Sequence, residues 1–352
     1  MSDVDPFAFL VARGPVVQAT SGDAWIQALL DAEVALARAH ADVGTVPGEW
    51  ADAVATVARA ERFDVETLLV DAQHAGNAVV PLVAALRDAV GDAAPAVHRG
   101  ATSQDVVDTA TMLIARRAGG LVADDLDRAA AAAASLGDRH GAVVVTGRTL
   151  LQHAVPTTFA TTTARWHDGL GQAAAELRRV ATTLPTQLGG PVGDPASFED
   201  DWEELVAAMA AHLGLATPAR PWHTQRMPVA SLAGVWGAAA GAVATVALDV
   251  VLLAQQDIGL VAERADGAGG SSSMPHKHNP IAAVSARAAA LQAPGLVATL
   301  LHCTGGHELE RAAGAWHAEW PALRSLLRVT GAATWWLNAS LDRLVVDPGA
   351  GA

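Results

Sequence analysis

Apolar residues recur at alternating intervals of four and three in two long stretches of the sequence. One stretch runs through Leu232, Trp236, Ala239, Val243, Val246, Val250 and Leu253, and the other through Trp166, Leu170, Ala173, Leu177, Val180 and Leu184. This spacing places the apolar side chains of each stretch along one seam of an α-helix that packs side by side with others. Strand signals are scarce, and the clearest is the short β-branched run Val143–Val145. The sequence therefore predicts an all-α fold, built as an elongated bundle of long helices.

The stretch from Val229 to Leu248 also raises the possibility of a membrane span, because it carries no charged residue and is long enough to cross a bilayer. However, alanine, glycine and valine dominate it, Asp249 follows directly, and no basic cluster flanks it. A helix that is apolar on most sides lies either in lipid or at the centre of a large bundle. We therefore expect a soluble protein, not bound to a membrane, whose central helix is covered by partner subunits.

The composition argues against several classes of protein. A formal net charge of −14 without a basic stripe argues against a nucleic-acid partner. The single cysteine, Cys303, rules out a disulfide framework and a cysteine-based zinc cluster, and it fits a reducing compartment. Because no secretory leader opens the sequence, we expect a cytoplasmic location. Among 23 Lys and Arg residues, Lys277 is the only lysine, which makes it a candidate functional residue.

Several helix boundaries follow from capping signals. Ser21 precedes a helix with an apolar face, and Thr102 with Asp105 three residues later has the pattern of a capping box. Asn279 is predicted to be the N-cap of another helix, because a proline follows it at the first helical position. A further helical stretch is predicted over residues 308–344, interrupted or kinked at Pro321.

The segment 259–280 joins two strongly helical stretches and has the composition of a functional loop. Its glycines make it mobile, three serines follow them, and Lys277 lies two residues before the predicted N-cap. A flexible loop that ends at a helix N-terminus beside a cation is a natural anion-binding site. A plain surface linker is the alternative, because glycine and serine are common in linkers. The methionine, the histidines and the only lysine are unusual in linkers, and they favour the functional loop.

Three segments resemble, in the expected order, the signature blocks of the fumarase/aspartase superfamily. They are His98–Ala110 (HRGATSQDVVDTA), Gly147–Thr158 (GRTLLQHAVPTT) and Gly270–Pro280 (GSSSMPHKHNP). The resemblance implies an all-α fold around a central long-helix bundle. It also implies a homotetramer whose active sites combine residues of several subunits.

The resemblance further suggests how the chain is divided. Residues 1–100 correspond to an N-terminal helical domain, residues 101–345 to the central bundle with its catalytic loop at 259–280, and residues 346–352 to a short tail. Members of the superfamily continue with another helical domain, so most of a C-terminal domain is expected to be missing.

Within the superfamily, the segments Pro221–Arg226 and His307–Trp320 are similar to the 3-carboxy-cis,cis-muconate cycloisomerase family. This implies closure of 3-carboxymuconate to 4-carboxymuconolactone in protocatechuate degradation (the β-ketoadipate pathway), without a cofactor. Lyases of the superfamily usually carry a histidine where this chain has Leu150, and an amine leaving group needs such an acid. A carboxylate is stable as an anion near neutral pH, so a cycloisomerase tolerates the loss. Adenylosuccinate lyase or another fumarate-releasing lyase is the alternative activity, and a non-catalytic homologue is the alternative to an enzyme.

The resemblance also implies roles for individual residues. Ser271 corresponds to the general base, Lys277 with the neighbouring loop and helix amides stabilises an aci-carboxylate intermediate, and His153 handles the proton. The residues expected to bind a tricarboxylate substrate are His98, Arg99, Thr102, Ser103, Gln152, Arg226, Ser272, Asn279, Trp316 and His317. The pair His276 and His278 lacks a third ligand at useful spacing, so no metal site is expected.

Overall fold

The computed structural model describes residues 5–198, 201–264, 269–270, 273–274 and 277–349. The helices are α1 (Val16–Ala19), α2 (Gly22–Asp42), α3 (Gly48–Val57), α4 (Val65–Ala75), α5 (Val79–Val90), α6 (Ser103–His140), α7 (Phe159–Ala181), α8 (Trp202–Leu213), α9 (Met227–Leu253), α10 (Ile281–Ala290), α11 (Ala293–Thr304) and α12 (Ala315–Leu341). Two antiparallel strand pairs accompany them, β1 (Val144–Thr149) with β2 (Gln152–Thr158) and β3 (Val261–Glu263) with β4 (Leu344–Val346). The predicted all-α class is confirmed.

The longest helix, α6, sets the length of the bundle. Its 38 residues span about 57 Å at 1.5 Å per residue. It begins at the predicted capping box, in which Thr102 and Asp105 satisfy each other's orphan backbone donors. The β1–β2 hairpin follows its C-terminal end, and α7 then packs back along α6. The start of α6 and the hairpin are therefore at opposite ends of the bundle. The domain boundaries proposed at residues 100 and 345 stay predictions.

Helix α9 lies at the centre of the bundle, in contact with α7, α10, α11 and α12. Most of its predicted seam is buried, including Leu232, Trp236 and Val243. Asp249 accepts a hydrogen bond of 2.8 Å from Trp166 Nε1 on α7, so its charge has a partner inside the bundle. By length and composition alone, α9 and the stretch Ile281–Thr304 could each cross a membrane. Both stretches pack against other helices of the bundle, although only 39% of the most apolar window of each is buried within this one chain.

The predicted helix 308–344 starts later than its pattern suggested. Helix α12 begins at Ala315, after Gly314 with a φ of 117°, a conformation that only glycine adopts readily. It then runs through Pro321 to Leu341, so the helix is not interrupted at Pro321, and the alternative of a kink there stays a prediction. Pro321 lies in the second turn, where its missing N–H removes one hydrogen bond, and the packing of α12 against α6 and α9 to α11 outweighs that loss.

The β1–β2 hairpin was only partly visible in the sequence. Its two-residue turn consists of Leu150 and Leu151, both with left-handed φ values of 50° and 64°. Such turns normally carry Asn-Gly, so two leucines gave no turn signal. The hairpin is therefore longer than the Val143–Val145 run that predicted it.

Candidate active site

The N-terminal end of α6 is organised around the carboxylate of Asp105, which is fully buried. It accepts hydrogen bonds from the backbone N–H of Thr102 (2.9 Å), Gly189 (2.8 Å) and Gly190 (3.0 Å), and from Nε2 of His223 (2.7 Å). These bonds tie the entry of α6 to the loop before α8. Ser103, the first residue of α6, is held half-buried at this end.

One turn further, Asp108 and Glu319 share the guanidinium of Arg226. Nη1 and Nη2 of Arg226 donate to Asp108 at 2.6 and 3.0 Å, while Nε donates to Glu319 at 3.2 Å and Nη2 also donates to Glu319. Burial lowers the pKa of Arg226, but the two carboxylates outweigh this and hold it above its usual range. Because Arg226 is 2% exposed and all three of its nitrogens are engaged, the structure corrects the expectation that it binds a substrate carboxylate. It joins α6 to α12 instead.

The start of α12 completes this buried network. Trp316 is buried and donates from Nε1 to Asp108 at 3.0 Å, and His307 Nε2 bonds to Glu319 at 3.0 Å. His317 is exposed and packs against Trp316 and Trp320, with ring centroids 5.1 and 4.6 Å apart. Of the two residues predicted to contact substrate here, His317 is the one that faces solvent.

The segment before α6 is held by helix α2. The carboxylate of Glu33 contacts the backbone N–H and Nδ1 of His98, at 2.9 and 2.7 Å. His40 Nε2 forms a hydrogen bond of 3.0 Å with the backbone oxygen of Arg99. Arg99 itself is exposed. Burial lowers the pKa of His40, and the bond to Arg99 opposes that shift only in part.

Arg311 is a further cation at this end that the sequence reasoning missed. Its Nε donates to Gln104 Oε1 at 3.2 Å and its Nη2 to the carbonyl of Pro191 at 3.1 Å. Both partners are neutral, so its charge is not neutralised by a carboxylate in the described part of the chain. Its position in the segment His307–Trp320, close to Trp316, was the available signal.

The opposite end of the bundle carries the hairpin residues. Gln152 and His153 are exposed on β2, and the tip residues Leu150 and Leu151 are 97% and 71% exposed. Between the hairpin and the C-terminal end of α9 lies a cleft of about 680 Å³. Its polar lining includes Arg148, His153, Arg165, Asp249, Gln255 and Asp257.

The signature loop lies at the same end. Lys277 and Asn279 line a second cleft, of about 650 Å³, together with Gln255 at the end of α9. Asn279 closes the loop, because its backbone N–H and its Nδ2 both donate to the carbonyl of Gly269, at 2.9 and 3.1 Å. Gly269 has a φ of 77°, and a Cβ there would approach the backbone oxygen of Asn279 to 2.3 Å, so only glycine fits. Ser271 and Ser272 lie outside the described residues.

The predicted N-cap at Asn279 is wrong, because α10 begins at Ile281 and Pro280 precedes it. The capping group is Glu263 on β3, whose carboxylate accepts from the backbone N–H of Ala282 and Ala283 at 2.9 and 2.8 Å. A carboxylate from the chain thus occupies the helix amides that were expected to hold an anion. Lys277, which is exposed, keeps its ammonium group available.

The predicted site residues therefore form two groups far apart in one chain. One group, at the start of α6, comprises His98, Arg99, Thr102, Ser103, Arg226, Trp316 and His317. The other, at the hairpin end, comprises Gln152, His153, Lys277 and Asn279. Helix α9 alone, with 27 residues, places about 40 Å between Arg226 at its start and the clefts at its end. No small substrate can contact both groups of the same chain.

Comparisons with known proteins agree with this architecture. A family model described as "Lyase" matches residues 12–295. Nitrosuccinate lyase from Streptomyces davaonensis is 43% identical over 349 residues, covering 96% of this chain and 73% of that protein. A 3-carboxy-cis,cis-muconate cycloisomerase from Bradyrhizobium diazoefficiens is 41% identical, covering 88% and 69%. The solved structure of 3-carboxy-cis,cis-muconate lactonizing enzyme from Pseudomonas putida superposes with a TM-score of 0.91 at 33% identity, covering 98% and 78%.

Proposed function

This chain belongs to the lyase family of the fumarase/aspartase superfamily, and from that premise we propose that it is a 3-carboxy-cis,cis-muconate cycloisomerase. The enzyme closes 3-carboxymuconate to 4-carboxymuconolactone in protocatechuate degradation, a cytoplasmic reaction that needs no cofactor. Relatives and solved structures of that activity, alike over most of the chain, support the proposal.

The reaction joins a substrate carboxylate to a carbon of the conjugated diene. As the carbon–oxygen bond forms, the electrons of the double bond move into a neighbouring carboxylate and create an aci-carboxylate. This group needs a positioned cation, and Lys277 is exposed beside a cleft at the hairpin end. A proton is then delivered to carbon, for which Ser271 and His153 are the proposed groups. Gln152 and Ser272 are proposed to contact the substrate, whereas Asn279 has the additional task of closing the loop.

The observation that carries the proposal is the apolar tip of the β1–β2 hairpin. Leu150 and Leu151 are both exposed and carry no ionisable group, and the next side chains along β2 are Gln152 and His153. Leu150 stands where the resemblance implies a proton-donating histidine in lyases that release an amine, so the tip itself lacks that acid. The hairpin therefore favours a reaction in which the group that adds or leaves is a weakly basic anion, such as a carboxylate.

A second candidate activity meets the same condition. Elimination from nitrosuccinate releases nitrite, a weakly basic anion that also needs no strong acid at the tip. The 43% identity to nitrosuccinate lyase favours this candidate specifically. Adenylosuccinate, whose leaving group is an amine, fits the leucine tip least well.

We further propose that the enzyme works as a homotetramer with active sites shared between subunits. The two groups of site residues lie at opposite ends of a bundle about 57 Å long, so another copy has to supply the missing group. The tricarboxylate substrate would then meet Lys277 of one chain and the His98–Ser103 segment of another.

A three-substrate assay tests the activity. Loss of the ultraviolet absorbance of the 3-carboxymuconate diene is followed, with nitrosuccinate and adenylosuccinate as parallel substrates. We expect the diene to react fastest, and faster nitrosuccinate turnover would replace the first candidate by the second. A folded oligomer that turns over none of the three would exclude both. Lys277→Arg tests whether turnover needs the ammonium group of Lys277 and not merely a positive charge. We expect this variant to keep the charge and the fold but to lose turnover, because the bulky guanidinium does not replace the compact ammonium.

A further inference from the structure

Glu33 is an acid buried inside α2, and within the described part of the chain its side-chain hydrogen bonds go to one histidine. It is fully buried, and both of its oxygens are used, one by the backbone N–H of His98 and the other by the Nδ1 of its ring. Within the described residues it forms no ion pair with lysine or arginine. A buried carboxylate is costly to keep unless its oxygens have donors, and here His98 supplies both.

His98 is itself held in an unusual backbone conformation. Its φ of 57° lies in the left-handed region, which costs energy for a residue that has a side chain. Two contacts from α2 maintain it, namely the bond from its backbone N–H to Glu33 and the bond from His40 to the carbonyl of Arg99. Strain maintained by dedicated partners is typical of a residue whose side chain has a task.

The ring of His98 is oriented with one nitrogen inward and one outward. Nδ1 faces Glu33 at 2.7 Å, and the side chain is 15% exposed. Nε2 has no hydrogen-bond partner in the described part of the chain. It is accessible to solvent at the surface and not enclosed. That surface lies just before Thr102 and Ser103, at the start of α6.

His153, the other histidine of the signature blocks, has a different environment. It is exposed on β2, and no hydrogen bond orients its ring within the residues that the structure describes. An imidazole that must contact a substrate in one geometry needs a partner on its other nitrogen, which His98 has and His153 lacks.

We propose that Glu33 is a positioning residue of the active site, which holds the His98 ring so that Nε2 contacts a carboxylate of the substrate. The proposal rests on the proposed function, because it requires an anionic substrate at the start of α6. Nδ1 of the His98 ring then faces Glu33 on one side, while Nε2 faces the substrate anion on the other. Glu33 itself never touches the substrate, so its contribution passes entirely through His98.

A double-mutant cycle separates positioning from a merely structural role. Glu33→Gln can accept only one of the two His98 hydrogen bonds, and His98→Gln removes the imidazole while keeping a donor for Glu33. Each single variant is expected to lower kcat/KM for 3-carboxymuconate by about 10- to 100-fold, the range found for the partners that orient metal-ligating histidines. The double variant is expected to be no worse than His98→Gln alone, because Glu33 acts only through that ring.

Asp42→Asn is the matched control, because Asp42 lies at the end of the same helix and pairs with Nε2 of His212 at the same 2.7 Å, but at the surface. Its kcat/KM should stay within about twofold of the wild type. If the Glu33 and His98 effects multiply, or if kcat/KM of Glu33→Gln is unchanged, the positioning role is overturned. If Glu33→Gln does not fold, an unchanged kcat/KM of His98→Gln overturns it as well. A wild-type enzyme that is inactive on all three substrates removes the proposed function and this proposal together, whereas an active one isolates the test of Glu33.

Discussion

The two ends of the helix bundle differ in how far a single chain completes them. At the start of α6, Asp105, Asp108 and Glu319 are buried, and each is surrounded by donors from other elements. At the hairpin end, Lys277 and His153 are exposed, and their side chains carry no hydrogen bond within the described residues. The polar groups at the first end are buried and hydrogen-bonded, whereas Lys277 and His153 at the other end are exposed and available to a substrate.

The difference indicates how the work is divided. The buried end fixes backbone geometry, because its buried charges pair with one another, whereas Arg99, Arg311 and His317 are exposed. At the hairpin end, Asn279 and Glu263 hold the loop and the start of α10, whereas Lys277 and His153 are exposed and available to a substrate. We infer that substitutions within the buried Arg226 network chiefly change folding, and that substitutions of the groups proposed to contact the substrate, at either end, chiefly change turnover.

The largest expected effect is at the hairpin end. Ser271→Ala should lower kcat by about 10²- to 10⁴-fold, the usual contribution of a positioned acid or base, while the oligomer and its Tm persist. Ser273→Ala, at the variable position of the signature, is the control and should keep its rate. Stopped-flow or steady-state loss of the diene absorbance measures both variants. An active Ser271→Ala enzyme would move the proton chemistry to a histidine.

The next largest effect is expected from removing the buried cation at the start of α6. Arg226→Met leaves Asp108 and Glu319 as buried carboxylates without their cation, which should lower the free energy of unfolding by about 3–5 kcal/mol. Arg178→Met is the matched control, because Arg178 also bridges two carboxylates, Asp124 and Asp127, but on the surface. It should cost about 1 kcal/mol or less in the same denaturant titration. Equal losses from the two variants would contradict the contrast between a buried scaffold and a solvated surface.

A smaller effect concerns the strained hairpin turn. Replacing Leu150-Leu151 by Asn-Gly gives the turn its preferred residues and should raise the free energy of unfolding by about 1–2 kcal/mol. The same change removes the apolar tip and should lower kcat/KM about tenfold. Leu151→Gly alone relieves the backbone at φ 64° and keeps Leu150, so it should stabilise while retaining most of the activity. If the double replacement raises the free energy of unfolding without lowering kcat/KM, the apolar tip has no role in the site.

The smallest effect is a pH dependence at the buried end. Burial lowers the pKa of His40 from its usual value of about 6.5, so the unfolded chain takes up the proton first as the pH falls. The stabilisation by neutral His40 is present above pH 6.5 and is lost as the pH drops below it. His40→Gln, which can still donate to the Arg99 carbonyl, should therefore show a smaller fall in Tm between pH 7.5 and 5.5 than the wild type. His302→Gln, at an exposed position on α11, should leave that fall unchanged.

The features that the sequence predicted correctly are encoded locally or by a repeated pattern. The α9 seam from Leu232 to Val250 and the capping box of Thr102 and Asp105 need only near neighbours to be recognised. The pairing of Arg226 with both Asp108 and Glu319 has no local signal, because these partners lie 118 and 93 residues away in the chain. The same holds for Glu33, which is 65 residues from His98.

The predictions of the hairpin and of the start of α10 failed because local sequence preferences point away from the observed structure. Leu150 and Leu151 occupy backbone conformations that leucine disfavours, so local propensity pointed away from a turn. At α10, Asn279 and Pro280 carry the usual signal for a helix start, but Glu263 from β3 supplies the cap instead. At α10 the contact from Glu263 outweighs the local preference, and at the hairpin the pairing of β1 with β2 does so.

Mixed oligomers test whether the two ends of one chain serve different active sites. One variant carries Ser271→Ala with Lys277→Met, the other carries His98→Ala with Arg99→Ala, and the two are refolded together and isolated through separate tags. If each site takes its two groups from different chains, mixed oligomers contain some intact sites, and the diene rate rises well above that of either parent. If one chain supplied a whole site, every site in the mixture would be defective, and the rate would never exceed that of the parents.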